Sequence, residues 1–135
     1  MKLYKIALIP GDGVGIEITD EAVRVLDAAA DLHGFEVATE SFDWSCDRYL
    51  ATGAMMPDDA LNTLSAFDSI FLGCIGDADK VEDHISLQML LTIRKGFDQY
   101  VNLRPIKLYP GVSTPISTAT PDTVDILVIR ENTEG

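Results

Sequence analysis

The sequence predicts an α/β fold with parallel strands, and three observations support this prediction. Short apolar runs, which indicate buried strands, alternate along most of the chain with stretches whose apolar residues recur every three or four positions, as in helices. The first run ends in the turn Pro10-Gly11-Asp12-Gly13, directly before a helix-like stretch. With 135 residues, 47% of them hydrophobic, the chain has enough apolar material for one core.

The first half of the chain is predicted to run strand, helix, strand. Residues 5–9 are a short apolar run and predict a buried strand. A helix is expected next, with acidic residues near its start and Gly34 at its end. Its apolar stripe is formed by residues at helical spacing: Ile18, Ala22, Val25, Leu26 and Ala29. Residues 35–40 then predict a half-exposed strand.

The second half continues the alternation. Pro57-Asp58 opens a predicted short helix over residues 58–66, and residues 69–75 predict a buried strand that ends in a glycine loop. Ser86 is expected to cap a helix that carries Leu87, Leu90, Leu91 and Arg94. Residues 100–109 and 124–130 are predicted to be extended.

Charge and cysteine content exclude several classes of function. The net charge of −12 argues against a nucleic-acid partner, which would require a basic surface. No apolar run approaches the roughly 20 residues of a membrane span, and no secretory signal is recognisable, so a cytoplasmic location is expected. Cys46 and Cys74 stand 28 positions apart and predict two reduced, buried thiols.

Two glycine-containing loops are candidate ligand sites. The loop over residues 9–15 joins a strand to a helix, where free backbone N–H groups favour anions, but Ile16 and Ile18 replace glycines that the dinucleotide fingerprint requires. Gly73-Cys74-Ile75-Gly76 follows a buried strand, where open α/β sheets bind ligands. For both loops, a tight structural turn remains the alternative.

Three arginines predict a site for a carboxylic acid. Arg94, Arg104 and Arg130 each lie in or at the end of an otherwise apolar element, whereas residues 1–93 carry 17 acidic and only 5 basic residues. The planar guanidinium forms paired, charge-assisted hydrogen bonds with carboxylates. The alternative is pairing with neighbours such as Asp98 or Glu131. The single carboxylates Asp12, Asp98 and Glu131 show no clustering, so no metal ligand or catalytic residue is assigned.

Several longer motifs resemble the isocitrate/isopropylmalate dehydrogenase family, and within it the tartrate and D-malate dehydrogenase branch. The resemblance covers essentially the whole chain. Its motifs are residues 9–15 (Ile-Pro-Gly-Asp-Gly-Val-Gly), residues 53–59, residues 83–87, residues 96–105, which include Asn-Leu-Arg-Pro, and residues 130–135 (Arg-Glu-Asn-Thr-Glu-Gly).

This resemblance implies the isopropylmalate dehydrogenase-like two-domain fold, of which only the N-terminal part is present. Residues 1–99 would begin the larger, cofactor-side domain, and residues 100–135 the smaller, substrate and dimer domain. The intact protein would be a homodimer that oxidises, and then decarboxylates, a malate-like dicarboxylic hydroxy acid with NAD and Mg or Mn. Arg94, Arg104 and Arg130 would bind the substrate carboxylates. Residues near the cofactor would be Val14, Gly73, Cys74, Ile75, Gly76 and Leu87.

Departures from the family bear on the substrate. The branch continues Gly-Ala-Val-Gly with Trp-Pro, where this chain has Gly73-Cys74-Ile75-Gly76-Asp77-Ala78. Gln88 and Leu90 replace the isocitrate branch's Ser and Asn, which argues against isocitrate. Leu87 replaces a Glu of the isopropylmalate branch, which nevertheless shares Leu90 and Leu91. Isopropylmalate dehydrogenase is therefore the alternative.

The family's catalytic Tyr and Lys, its metal-ligating Asp residues and its adenine-binding loop lie beyond the position of Gly135. The resemblance therefore implies that this chain alone is inactive and that the natural chain continues. A non-catalytic, anion-binding remnant is the other interpretation.

Overall fold

Residues 2–132 are described in the computed structural model, as five strands and four helices. The strands are β1 (Leu3–Gly11), β2 (Glu36–Ser41), β3 (Ser69–Cys74), β4 (Val101–Lys107) and β5 (Asp125–Glu131). The helices are α1 (Val14–His33), α2 (Cys46–Thr52), α3 (Ala60–Leu64) and α4 (Asp83–Gly96). The chain divides into two compact units, residues 1–93 and 94–135, with the boundary in the last turn of α4. The assignment of residues 1–99 and 100–135 to two domains of a larger protein stays a prediction.

The first unit contains a parallel sheet in the order β2-β1-β3, which confirms the predicted α/β class. Strand β1 is central in this sheet, and its residues Ala7, Leu8 and Ile9 are buried. Trp44, Met55, Leu64 and Met89 are buried in the same unit. The carboxyl ends of the three strands share one edge of this sheet, which is where the loops of interest lie.

Helix α1 ends as predicted, and its inward face matches the predicted apolar stripe only in part. Gly34 adopts the left-handed conformation (φ 72°), and its N–H donates to the Ala30 carbonyl. Of the predicted apolar stripe, Ala22, Leu26 and Ala29 are half-buried, whereas Ile18 and Val25 are 46% and 70% exposed. The smaller Gly15 and Thr19 are buried instead, because the helix start lies too close to the strands for large side chains.

Two further helix predictions need correction. Helix α2 was missed, although Ser45 caps it by accepting a hydrogen bond from Arg48 N, and Gly53 ends it at φ 81°. Helix α4 begins at Asp83 rather than at a Ser86 cap, and Ser86 is buried in its first turn, where its hydroxyl donates to the Asp83 carbonyl at 3.0 Å.

In the second unit, β4 and β5 pair antiparallel from Val101↔Glu131 to Lys107↔Asp125, so the predicted parallel arrangement does not extend to them. The prediction that both segments are extended is confirmed. A Lys107–Asp125 ion pair of 3.3 Å closes the far end of the two strands. All residues of β5 are exposed.

Candidate functional site

Asp12 is the buried polar residue around which the sheet edge is organised. It follows β1 directly and is 5% exposed. Its Oδ1 accepts a hydrogen bond from Cys46 N at 2.8 Å, and its Oδ2 accepts one from Gly76 N at 3.0 Å. Its own N–H donates to the Cys74 carbonyl at 2.6 Å. A single residue thus joins the loops after β1 and β3 and the start of α2.

The glycines around Asp12 allow α1 to approach the strands closely. A Cβ on Gly15 would lie 2.2 Å from the Pro10 carbonyl oxygen, and one on Gly73 would lie 2.4 Å from the same atom. These distances are far below van der Waals contact. Gly73 and Gly15 therefore serve helix–strand packing, whatever else the loops bind.

The residues predicted to lie near a cofactor gather at this edge, and several are accessible. Cys74 ends β3 and is exposed, while Ile75 and Gly76 are half-buried. Val14 is 57% exposed at the start of α1. Leu87 is 52% exposed and follows Ser86, whose hydroxyl would lie 3.3 Å from a Cβ on Gly76. Their role in binding a cofactor stays a prediction.

The two cysteines differ in environment. The thiol of Cys46 is buried, whereas Cys74 is exposed, so the prediction of two buried thiols is wrong for Cys74. Cys74 is exposed at the carboxyl edge of the sheet, where it is the last residue of β3 and pairs with Gly11. Burial raises the pKa of Cys46 above its ordinary value, and hydrogen bonding to Asp12 adds to this effect.

The antiparallel register places two of the predicted substrate residues on one face. Residues paired across the strands, and residues two apart along a strand, lie on the same side of a sheet. Asn102 pairs with Arg130, and Arg104 pairs with Val128, so Asn102, Arg104 and Arg130 share a face. Arg104 Nε donates to Asn102 Oδ1 at 3.2 Å. We call this group the arginine face.

The opposite face of the two strands carries the apolar residues Val101, Leu103, Leu127 and Ile129. Ile106, Ile126 and Val128 lie on the arginine face itself, so apolar residues occupy both sides of the two strands. Asn102 was overlooked in the sequence, although its spacing of two from Arg104 predicts a shared face.

Arg94 lies in the last turn of α4 and is half-buried, and its carbonyl oxygen accepts a hydrogen bond from Gln99 N at 2.8 Å. Among residues 2–132, the ion pairs involve Arg24 and Arg48 but none of Arg94, Arg104 and Arg130. The convergence of Arg94 with the other two on a single ligand stays a prediction.

Among the described residues, the first unit contains at least three cavities. A cavity of 370 Å³ opens at the carboxyl edge of the sheet, and its lining includes Pro10, Ile16, Phe42 and Asp47. Cavities of 510 Å³ and 210 Å³ lie beside α3 and α4 respectively. The 370 Å³ cavity is lined by Pro10 and Gly11 of the candidate loop over residues 9–15. The lining of these three cavities does not include the residues predicted from the family to contact cofactor or substrate: Val14, Gly73, Cys74, Ile75, Gly76, Leu87, Arg94, Arg104 and Arg130.

Within the described part of the chain, no three His, Cys, Asp or Glu side chains come together as a metal site would require. No helix among these residues is long and apolar enough to cross a membrane.

Comparison with known proteins identifies the family. The isocitrate/isopropylmalate dehydrogenase family model matches residues 5–135. The D-malate dehydrogenase (decarboxylating) of Escherichia coli K12 is 52% identical over 137 aligned residues, which cover 100% of this chain and 38% of that protein. The tartrate dehydrogenase/decarboxylase of Pseudomonas putida is 49% identical, over 98% of this chain and 37% of its own length.

A solved structure supports the same assignment. The crystal structure of a beta-decarboxylating dehydrogenase from Thermococcus kodakarensis, in its apo form, has a TM-score of 0.72 and 29% identity, covering 98% of this chain and 35% of the other. This chain thus spans little more than a third of the relatives that it matches. It belongs to the isocitrate/isopropylmalate dehydrogenase family.

Proposed function

We propose that this chain supplies the N-terminal part of an NAD-dependent oxidoreductase that oxidises and decarboxylates a malate-like 2-hydroxy acid, such as tartrate or D-malate. The observation that carries the proposal is the arginine face, where Arg104 and Arg130 lie on one side of β4 and β5 without a carboxylate partner among residues 2–132. The high identity to D-malate and tartrate dehydrogenases supports the choice of acid.

The arginine face suits a dicarboxylate. Residues on diagonal positions of an antiparallel pair, such as Arg104 and Arg130, have backbones about 7–8 Å apart. The two guanidinium groups can therefore each bind one carboxylate of a four-carbon acid. Oxidation removes a hydride from C2 and a proton from its hydroxyl, giving a ketone. The bond between C3 and the β carboxylate then breaks and CO2 leaves, and the electron pair that remains forms an enolate, which takes up a proton at C3.

The cofactor is proposed to bind at the carboxyl edge of the parallel sheet. Val14, Cys74 and Leu87 offer exposed surface there, and the glycine-rich backbone allows a flat ring to approach closely. Bound NAD supplies the hydride acceptor. Dependence on Mg or Mn, assembly as a homodimer and a cytoplasmic location complete the proposal. The described residues do not themselves form a metal site.

The first test is a hybrid enzyme in which this chain replaces the matching segment of the E. coli D-malate dehydrogenase. NADH formation is measured with D-malate, tartrate, 3-isopropylmalate and isocitrate, before and after chelation of divalent metal. We expect activity with D-malate or tartrate that chelation removes and Mn restores. Preference for 3-isopropylmalate would favour the isopropylmalate alternative, and inactivity with all four acids would contradict the proposal.

Charge-preserving substitutions test the arginine face in the same hybrid. Arg104→Lys and Arg130→Lys keep the positive charge but lose the paired hydrogen bonds, so each is expected to raise the KM for the acid about tenfold. Arg24→Lys is the matched control, because Arg24 is an exposed arginine of α1 paired with Glu21. An unchanged KM for the acid in both face variants would refute the assignment.

The chain by itself tests the non-catalytic alternative. Cooperative thermal unfolding of the 135-residue chain that shifts upward with tartrate or D-malate, without NADH formation, would favour an anion-binding remnant.

A further inference from the structure

We propose that Asp12 is a positioning residue that holds the loop Cys74–Gly76 in the shape that binds the cofactor. This inference rests on the proposed function, which places NAD beside that loop. Asp12 is assigned no contact with the cofactor or the acid itself, because its side chain is 5% exposed and both carboxylate oxygens accept backbone hydrogen bonds.

Asp12 holds the loop at both ends. Its backbone N–H donates to the Cys74 carbonyl at 2.6 Å, and its Oδ2 accepts from Gly76 N at 3.0 Å. Ile75 lies between these two attachments, so its position follows from them. Gly76 has a φ of 113°, which residues other than glycine rarely adopt, so this path of the loop requires glycine at position 76.

The other carboxylate oxygen explains why an aspartate is required here. Oδ1 accepts from Cys46 N at 2.8 Å, which fixes the loop relative to the first residue of α2. Both neighbours are donors, so both oxygens must be acceptors. An asparagine of the same shape turns one acceptor into a donor and leaves an N–H group facing another N–H group.

Loss of the Asp12 hydrogen bonds to the loop is expected to affect the binding of NAD and not that of the acid. A loosened Cys74–Gly76 loop changes the surface assigned to NAD, whereas Arg104 and Arg130 belong to the other unit of the chain. We therefore expect Asp12→Asn to change the KM for NAD and to leave the KM for the acid almost unchanged. A merely structural role would lower the amount of folded enzyme without changing either KM.

The experiment compares Asp12→Asn with Ser45→Ala in the hybrid enzyme, with steady-state kinetics for NAD and for D-malate. Ser45 is the matched structural control, because it caps α2 through Arg48 N and makes no described hydrogen bond to the loop. Asp12→Asn is expected to raise the KM for NAD about tenfold, with kcat and the KM for D-malate within about twofold. Ser45→Ala is expected to leave both KM values unchanged.

An unchanged KM for NAD in a folded Asp12→Asn variant overturns the inference, as does an equal rise of both KM values. Either outcome leaves the proposed function intact, because that function is judged on the hybrid without substitutions. If Asp12→Asn does not fold, hydrogen exchange on the hybrid enzyme without substitutions decides. A slowly exchanging Gly76 amide that NAD slows further supports the inference, and exchange as fast as that of an exposed amide overturns it.

Discussion

Replacing Gly73 by alanine tests the close approach of α1 to the strands. The added Cβ would lie 2.4 Å from the Pro10 carbonyl oxygen, 2.7 Å from Thr19 Oγ1 and 2.9 Å from the Gly15 carbonyl oxygen. Ordinary contacts begin at 3.4 Å, so the Pro10 oxygen must recede by about 1 Å, and the other two atoms must move as well. Two of these three atoms belong to the backbone, so no change of side-chain rotamer can relieve their contacts with the added Cβ.

The expected loss of folding free energy is about 3 kcal/mol, the upper part of the range for overpacked interiors. Chemical denaturation of the 135-residue chain, followed by circular dichroism, measures it. Gly34→Ala is the control, since its φ of 72° strains a side chain but a Cβ there meets nothing within 4 Å. That variant is expected to lose only about 1 kcal/mol. A Gly73→Ala variant as stable as Gly34→Ala would refute the packing argument.

Three further predictions follow from single side chains. A thiol reagent should modify Cys74 rapidly and Cys46 only on unfolding, because Cys46 is buried; equal rates would contradict this. The raised pKa of Cys46 means that the unfolded thiol loses its proton first, so stability should fall as pH rises above about 8.5 and fall less in Cys46→Ala. Ser45→Ala should cost about 1 kcal/mol of stability, measured by urea denaturation, through loss of the α2 cap, and no loss would refute that role.

The sequence predicts a helix or strand well where the pattern that indicates it lies within a single segment. The strand over residues 5–9, the stop at Gly34 and the extended segments before and after residues 108–124 are present in the structure. Helix α2 was missed because its seven residues are too short to show periodicity, although the Ser45 cap and the Gly53 stop were readable.

The face that a helix turns inward was harder to predict. Hydrophobicity alone selected Ile18 and Val25, but helix α1 buries Gly15 and Thr19. The reason is steric. Thr19 Oγ1 donates a hydrogen bond to the Gly15 carbonyl at 2.7 Å, and the small side of the helix that Gly15 and Thr19 form packs against Gly73. That neighbour is distant in sequence, so no local pattern contains it.

In the candidate site, too, some features could be predicted from the sequence and others depended on tertiary contacts. The sequence by itself determined that Arg104 and Arg130 are unusual, that glycine loops follow two strands, and to which family the motifs belong. Only the tertiary structure decided that the antiparallel register puts both arginines on one face with Asn102, that Cys74 is exposed, and that Asp12 bonds Cys46 and Gly76. Local propensities depend on neighbours along the chain, whereas these contacts and strand pairs join residues 24 to 64 positions apart and form only when the chain folds.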